Sequence, residues 1–308
     1  GGVVVRYEMT LEANRLPLLP LLEITPDQMD AAPRVDGWNF TLRPDLQWQT
    51  HRIVTERLRF SAKAWPRFEY GGSLSALERN EYTQLPEAFN PRVRLWAAEF
   101  RRRPELLNAD ARTLAQAVLA HIRDAGFAYT LAPGTYGRNA VDEFWLDRRY
   151  GFCEHFATSF VVVMRAMGVP ARVVTGYQGA DPRPVDGYFV VRQSHAHAWA
   201  EYWHPERGWL RADPTAAVAP DRVNSSRNLQ PQPGLMASAL GTVNPELLLD
   251  LRAAWEAVNN RWNQWVLNYS RTQQFDLLTR LGWRSPDAAD LAKLLVLLLS
   301  AAALAGAA

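Results

Sequence analysis

Residues 151–177 read Gly-Phe-Cys-Glu-His-Phe-Ala-Thr-Ser-Phe-Val-Val-Val-Met-Arg-Ala-Met-Gly-Val-Pro-Ala-Arg-Val-Val-Thr-Gly-Tyr, and their periodicity changes part-way. Positions 153, 156, 157, 160, 161, 164 and 167 are apolar or small and fall on one face of a helix. Gly168-Val169-Pro170 ends that helix, since glycine accepts a left-handed stop and proline cannot continue the ladder. Ala171 to Tyr177 then reads as a strand. The stretch predicts a helix with Cys153 in its first turn, feeding directly into a sheet.

Downstream the period stays at two. Tyr188–Arg192, His197–Trp203 and Trp209–Asp213 are strand segments, with turns at Gly179, Asp186-Gly187 and Pro205-Glu206-Arg207-Gly208. A helix followed by successive antiparallel strands predicts an α+β fold. Upstream, Asn90-Pro91 opens a helix, with Asn90 as its cap and Leu95, Trp96 and Phe100 following. A second helix spans about Asp110 to Ala125, with Leu114, Val118 and Ile122 on its apolar face and Gly126 as its stop. Helices are expected only after Pro86. Before it, Val3–Leu11, Trp38–Leu42 and Arg52–Phe60 make the first part β-rich, punctuated by Pro17, Pro20, Pro33 and Gly71-Gly72. That part holds no chemical motif.

Composition narrows the function class. The chain has 308 residues, 48% hydrophobic and 21% charged, as expected of a folded globular protein of about two domains. A formal net charge of +2 argues against nucleic acid as a main partner. Lysine occurs only at Lys63 and Lys293, a genomic bias rather than a binding signal, and Arg101-Arg102-Arg103 reads as a solvated helix end. One cysteine permits neither an internal disulfide nor a cysteine-based zinc site, and no acidic cluster resembles a calcium loop, so no metal or other cofactor is expected.

Gly1 is not a natural start, and the sequence reads as an excised piece of a longer chain. Residues 221–245 read as a polar linker. Glu246–Leu267 reads as a helix with Trp255, Val258, Trp262 and Trp265 on one side, packed on the body or anchored at a membrane surface. Leu294–Ala308 is apolar throughout but shorter than the ~20 residues that span a bilayer, which suggests a truncated transmembrane helix, with a buried terminal helix as the alternative.

A lone thiol is either a small buried hydrophobe or a reactive group. A thiol with a pKa of about 8.5 is a poor nucleophile at neutral pH unless a helix N-terminus or an imidazolium stabilises its thiolate. Cys153 has the first by position; the second needs one of six histidines. His155 lies two residues along the same helix and points elsewhere. His197 begins one strand and Asp213 ends the next, across a hairpin around Pro205–Gly208. Whether the two residues pair directly or the loop centres on Glu206, their offset is even, so both side chains share a face. A carboxylate could then orient the imidazole, as in a nucleophile–base–carboxylate triad. His195 has the same parity, so parity leaves it open. His204 falls in the turn and is expected to be exposed. The backbone N–H of Cys153 is a natural oxyanion donor, with Trp145 a weak candidate for the second.

Gly151-Phe152-Cys153-Glu154-His155-Phe156-Ala157 resembles the nucleophile segment of the transglutaminase-like superfamily. Gly168 to Tyr177 resembles its helix-to-strand passage, Ala196-His197-Ala198-Trp199-Ala200-Glu201 its histidine strand, and Gly208 to Thr215 its aspartate strand. Asn90-Pro91-Arg92, Tyr129-Thr130-Leu131 and Val141-Asp142-Glu143-Phe144 are similar to the membrane-anchored bacterial members of that family. The resemblance implies a papain-like transglutaminase core, with the nucleophile helix packed on an antiparallel sheet. The core would lie at 89–222, after a β-rich region at 1–88 and before a linker and Trp-rich helix at 223–288 and a transmembrane helix at 289–308. It implies Cys153 as nucleophile, His197 as base and Asp213 as its orienter, in a domain on the periplasmic face of a bacterial inner membrane. His195 departs from the acidic residue expected of the family at that position.

The implied chemistry is acyl transfer. The Cys153 thiolate attacks a glutamine-type carboxamide of a protein or peptide, His197 protonates the departing ammonia, and an amine or water resolves the thioester. A cysteine peptidase or amidase acting on cell-wall peptide would use the same triad, and a scaffold module with a relic triad would use none of it.

Overall fold

The computed structural model describes residues 3–27 and 30–220. The linker, the Trp-rich helix and the apolar terminal run lie outside these residues. Among the described residues, no helix is long and apolar enough to cross a membrane.

The N-terminal part is β-rich, as its alternation predicts. β1 (Val5–Leu11) pairs antiparallel with β5 (Leu58–Ala64), from Val5 opposite Ala64 to Leu11 opposite Leu58. Between them, β2 (Leu18–Leu19), β3 (Phe40–Leu42) and β4 (Trp48–Thr50) form a small sheet in the order β2-β4-β3. Leu58, Phe60, Ala62 and Ala64 are buried while Arg59 and Ser61 face solvent, the one-sided alternation of a half-buried strand. The strand expected over Arg52–Phe60 therefore starts later and runs further. Residues 52–57 are held differently: the Val54 N–H donates to the Leu16 carbonyl and its C=O accepts from Arg15.

Helix begins earlier than Pro86. α1 (Ala76–Thr83) opens with a capping box, Glu78 N–H to Ser75 Oγ at 3.2 Å and Ser75 N–H to Glu78 Oε2 at 2.9 Å. None of its residues is buried, so no hydrophobic periodicity announces it. α2 (Pro91–Arg101) starts where Asn90-Pro91 predicts, but Asn90 does not cap it. Asn90 sits in the left-handed region at φ 52°, and its Oδ1 accepts from the Val141 N–H at 3.1 Å. The buried Asp142 carboxylate returns the favour by accepting from the Val93 N–H at 2.8 Å and the Arg92 N–H at 3.1 Å. Each residue thus satisfies amides of the other's helix, an exchange across some fifty residues that local spacing cannot reveal.

α3 (Ala111–Asp124) is capped by Asp110, whose Oδ1 accepts from the Thr113 N–H at 2.7 Å, and Leu114, Val118 and Ile122 are buried as expected. β6 (Ala128–Tyr129) pairs in parallel with β7 (Tyr150–Gly151). Between them, α4 (Ala140–Asp142) continues into a π-helical turn at Glu143–Arg148.

α5 (Cys153–Ala166) and β8 (Ala171–Tyr177) follow as the opening stretch predicts. β8, β9 (Ala196–His204) and β10 (Gly208–Ala212) form an antiparallel sheet in the order β10-β9-β8. Phe156, Phe160 and Met164 of α5 share one core with Ala171, Ala200 and Ala212 of the sheet. The small residues on the strands let the helix approach closely. The described part is α+β.

Residues 181–190 group apart from the other described residues. Their described structure is a tight turn, with Asp186 and Gly187 at positive φ and Val185 and Tyr188 exchanging backbone hydrogen bonds. The strand expected at Tyr188–Arg192 is absent: its pairing is confined to the Val185–Tyr188 bridge and the Asp181 N–H to Val190 C=O bond.

Candidate active site

Cys153 is the first residue of α5, partly exposed. Phe152 precedes it with extended backbone and has no side-chain acceptor, so no side-chain cap bond satisfies the first turn. The partial positive charge of that helix end therefore falls on the position of the thiol. Gly151 is required sterically. A Cβ there would stand 2.8 Å from the His155 Cβ and 3.0 Å from the Phe144 ring.

The antiparallel sheet brings the other groups to the same end of the molecule. α5 turns at Gly168 into β8, so the start of the helix lies over the end of β8, the start of β9 and the end of β10. His197 is near the start of β9 and Asp213 directly follows β10. Gly208 pairs with His204 and Ala212 with Ala200, so the loop centres on Glu206. This register puts Asp213 opposite Trp199 and makes its relation to His197 diagonal. The His197 Nε2 lies 2.8 Å from Asp213 Oδ2. Both side chains are nearly buried, at 1% and 11% exposure.

The Asp213 carboxylate is oriented from its other oxygen. Oδ1 accepts from the Thr215 N–H at 3.2 Å, which caps the 3-10 turn at Pro214–Ala217. With Nε2 engaged by Asp213, Nδ1 is buried, and Cys153 interacts with the same ring and helps to raise its pKa. Burial alone would push the His197 pKa down. The hydrogen bonds and negative charges of Asp213 and Cys153 outweigh it and raise the pKa to about 9. The thiol at the start of α5 and the Asp213 carboxylate thus both act on the His197 imidazole.

Residues 97–214 match the Transglutaminase-like superfamily. A protein-glutamine gamma-glutamyltransferase of Pseudomonas aeruginosa is 37% identical over 285 residues, covering 91% of this chain and 41% of that protein. The solved periplasmic domain of TgpA from Pseudomonas aeruginosa is 38% identical with a TM-score of 0.66, covering 74% of this chain and 76% of that one. YebA of Bacillus subtilis, described only as uncharacterized, is 29% identical over 143 residues, 44% of this chain and 19% of that protein.

The chain belongs to the transglutaminase-like superfamily. Its α5-on-sheet core is the papain-like transglutaminase fold, as the motif resemblance implies. It spans 41% of the length of the Pseudomonas transferase.

His195, His155 and His204 of this transglutaminase-like chain make other contacts. His195 shares parity with His197, but the register carries it away from Asp213. It ends a 3-10 turn, fully buried, with Nδ1 accepting from the Arg192 N–H at 2.8 Å. His155 sits 4.5 Å from the Phe152 ring and 4.9 Å from the Tyr136 ring, and burial lowers its pKa. His204 is buried, contrary to expectation. Its Nδ1 accepts from the Glu206 N–H at 3.2 Å and its Nε2 faces Asp110 at 3.4 Å, so the turn folds onto the cap of α3. Trp145 is buried among Trp96, His121 and Phe127.

Two neighbours were missed. The Trp199 ring stacks on His197, centroids 6.3 Å apart and planes 23° apart, and Arg211 lies over that ring. Both share the odd-numbered parity of His197 and Asp213. That parity was the signal that could have found them.

Proposed function

We propose that this chain is the thiol acyltransferase domain of a protein-glutamine gamma-glutamyltransferase-type enzyme, with Cys153 as nucleophile, His197 as acid–base and Asp213 as its orienter. The observation that carries this reading is the 2.8 Å His197–Asp213 bond, with Cys153 acting on the same ring from the N-terminus of α5. A proton held on His197 near neutral pH pairs with a thiolate. The thiolate attacks the carboxamide carbon of a glutamine side chain. The tetrahedral oxyanion is met by amides of the first turn of α5, with the Cys153 N–H best placed. His197 gives its proton to the departing ammonia and a thioester remains. His197 then takes the proton of the incoming amine, or of water, as the acyl group leaves sulfur.

The name of the Pseudomonas relative supports glutamine as acyl donor, and the periplasmic origin of the solved domain supports an extracytoplasmic location. Anchoring to the bacterial inner membrane through flanking helices belongs to the same proposal. It draws on the apolar run Leu294–Ala308, which lies outside the described residues.

The test is mass spectrometry of the chain incubated with a glutamine peptide and a labelled primary amine. Amine incorporation with release of ammonia, lost in Cys153→Ala, is expected. New peptide amino termini would indicate a peptidase instead, and undiminished incorporation in Cys153→Ala would sink the assignment.

A further inference from the structure

The odd-numbered face of β9 and β10 carries one more charged group. The Arg211 guanidinium lies 4.4 Å from the centre of the Trp199 ring. Its Nη2 is 3.9 Å from Asp213 Oδ2, the same oxygen that holds His197. β8 leaves room for this stack. Gly176, the register partner of His197, has no side chain, and a Cβ there would come within 3.0 Å of the Trp199 ring. Arg211 is therefore located at two points, on the ring and beside the carboxylate.

We propose that Arg211 is a positioning residue that shares the Asp213 carboxylate and thereby sets the pH at which the His197 imidazolium gives up its proton. The proposal rests on reading Cys153, His197 and Asp213 as the acyl-transfer machinery. A guanidinium stays charged at any working pH. Beside Asp213, it offsets part of the negative charge that stabilises the imidazolium, so His197 releases its proton more readily. A base that holds its proton too tightly cannot accept one from the incoming amine. The groups that face His197 are Cys153 from α5, Asp213 after β10, Trp199 from its own strand and the bare Gly176 from β8. Asp213 is met by His197, the Thr215 N–H and Arg211. Among these, Arg211 is the fixed positive charge. Its side chain is 41% exposed, so solvent moderates the effect.

The experiment uses the single cysteine as its reporter. The rate of Cys153 alkylation by iodoacetamide, followed by mass spectrometry across pH in the full chain, changes slope where the imidazolium beside the thiolate deprotonates. Arg211→Met keeps an apolar stem over Trp199 without the charge. It is expected to raise that inflection by roughly 0.3–0.7 pH unit, the scale of a partly exposed ion pair. Arg211→Lys keeps the charge and is expected to leave it near the parent value. An inflection unmoved or lowered in Arg211→Met, or raised equally in both variants, overturns the proposal. If Arg211→Met does not fold, the parent chain is compared at low and high salt. Screening the half-exposed guanidinium should raise the inflection, and a flat response overturns the proposal. The alkylation profile needs no substrate. A parent chain that shows the inflection, with its shift in Arg211→Met, but incorporates no amine would refute the acyl-transfer reading and leave the role of Arg211 standing.

Discussion

Asp213 stands opposite Trp199 in the β9–β10 register, yet its carboxylate reaches diagonally to His197 and closes a 2.8 Å bond. The diagonal is possible because Asp213 lies just past the end of β10, where the 3-10 turn at Pro214–Ala217 re-aims the backbone and the Thr215 N–H fixes the second oxygen. Orientation of the imidazole thus depends on a strand end and a turn together.

Asp213→Asn retains the size of the side chain but loses its charge, and it can present a donor where an acceptor is needed. We expect acyl transfer to fall by about 10²–10⁴-fold, as loss of an orienting carboxylate does in triad enzymes generally. The melting temperature should change by only a few degrees. Steady-state amine incorporation and a thermal melt measure the two effects; an activity loss under tenfold would remove Asp213 from the machinery.

His197 has a folded pKa of about 9 against an ordinary value of 6.5, so the fold holds its proton more tightly than the unfolded chain does. A raised histidine pKa contributes stability in full below about 6.5, and that contribution disappears as pH rises through about 9. The urea midpoint of the parent chain should therefore exceed that of His197→Gln by more at pH 6 than at pH 10. A difference that grows with pH would contradict the assignment.

Asp142 accepts two backbone N–H groups at the start of α2 from a buried position. Asp142→Ala leaves those amides unsatisfied and should cost about 2–3 kcal/mol, at the upper end for a lost cap. Asp142→Asn keeps one acceptor and should cost less. Urea denaturation of both variants checks the order.

Gly208 has φ +70°, and a Cβ there would stand 1.9 Å from the Tyr70 carbonyl oxygen. The close approach serves the Trp209 N–H, which donates to that oxygen at 2.8 Å and secures the free edge of β10. Gly208→Ala should destabilise by more than about 3 kcal/mol or prevent folding, since strain and collision add. Gly126→Ala, also at positive φ but with nothing within 4 Å, should cost only about 1 kcal/mol. Equal melting temperatures for the two variants would show that the Tyr70 contact is dispensable.

Much was legible in the residues alone. Helical spacing located α5 and put Cys153 in its first turn; alternation located β8, β9 and β10. Parity placed His197 and Asp213 on one face under either plausible register, because side chains alternate with period two whatever the loop length. Those features are local, and local backbone chemistry suffices to specify them. The rest depended on partners distant in sequence. Parity left His195 open, and only the loop centred on Glu206 carried it away from Asp213. His204 is buried because α3 offers Asp110 to it. Asn90 and Asp142 exchange caps across the core. Tyr188–Arg192 is apolar enough for a strand but pairs only through an isolated bridge and a single backbone bond. α1 buries nothing and so left no periodic signal beyond its Ser75–Glu78 capping box. The sequence by itself determined the elements and the residues available for chemistry. The tertiary structure decided which of them meet, because hydrogen-bond partners, burial and the field around an imidazole are set by groups that only folding brings together.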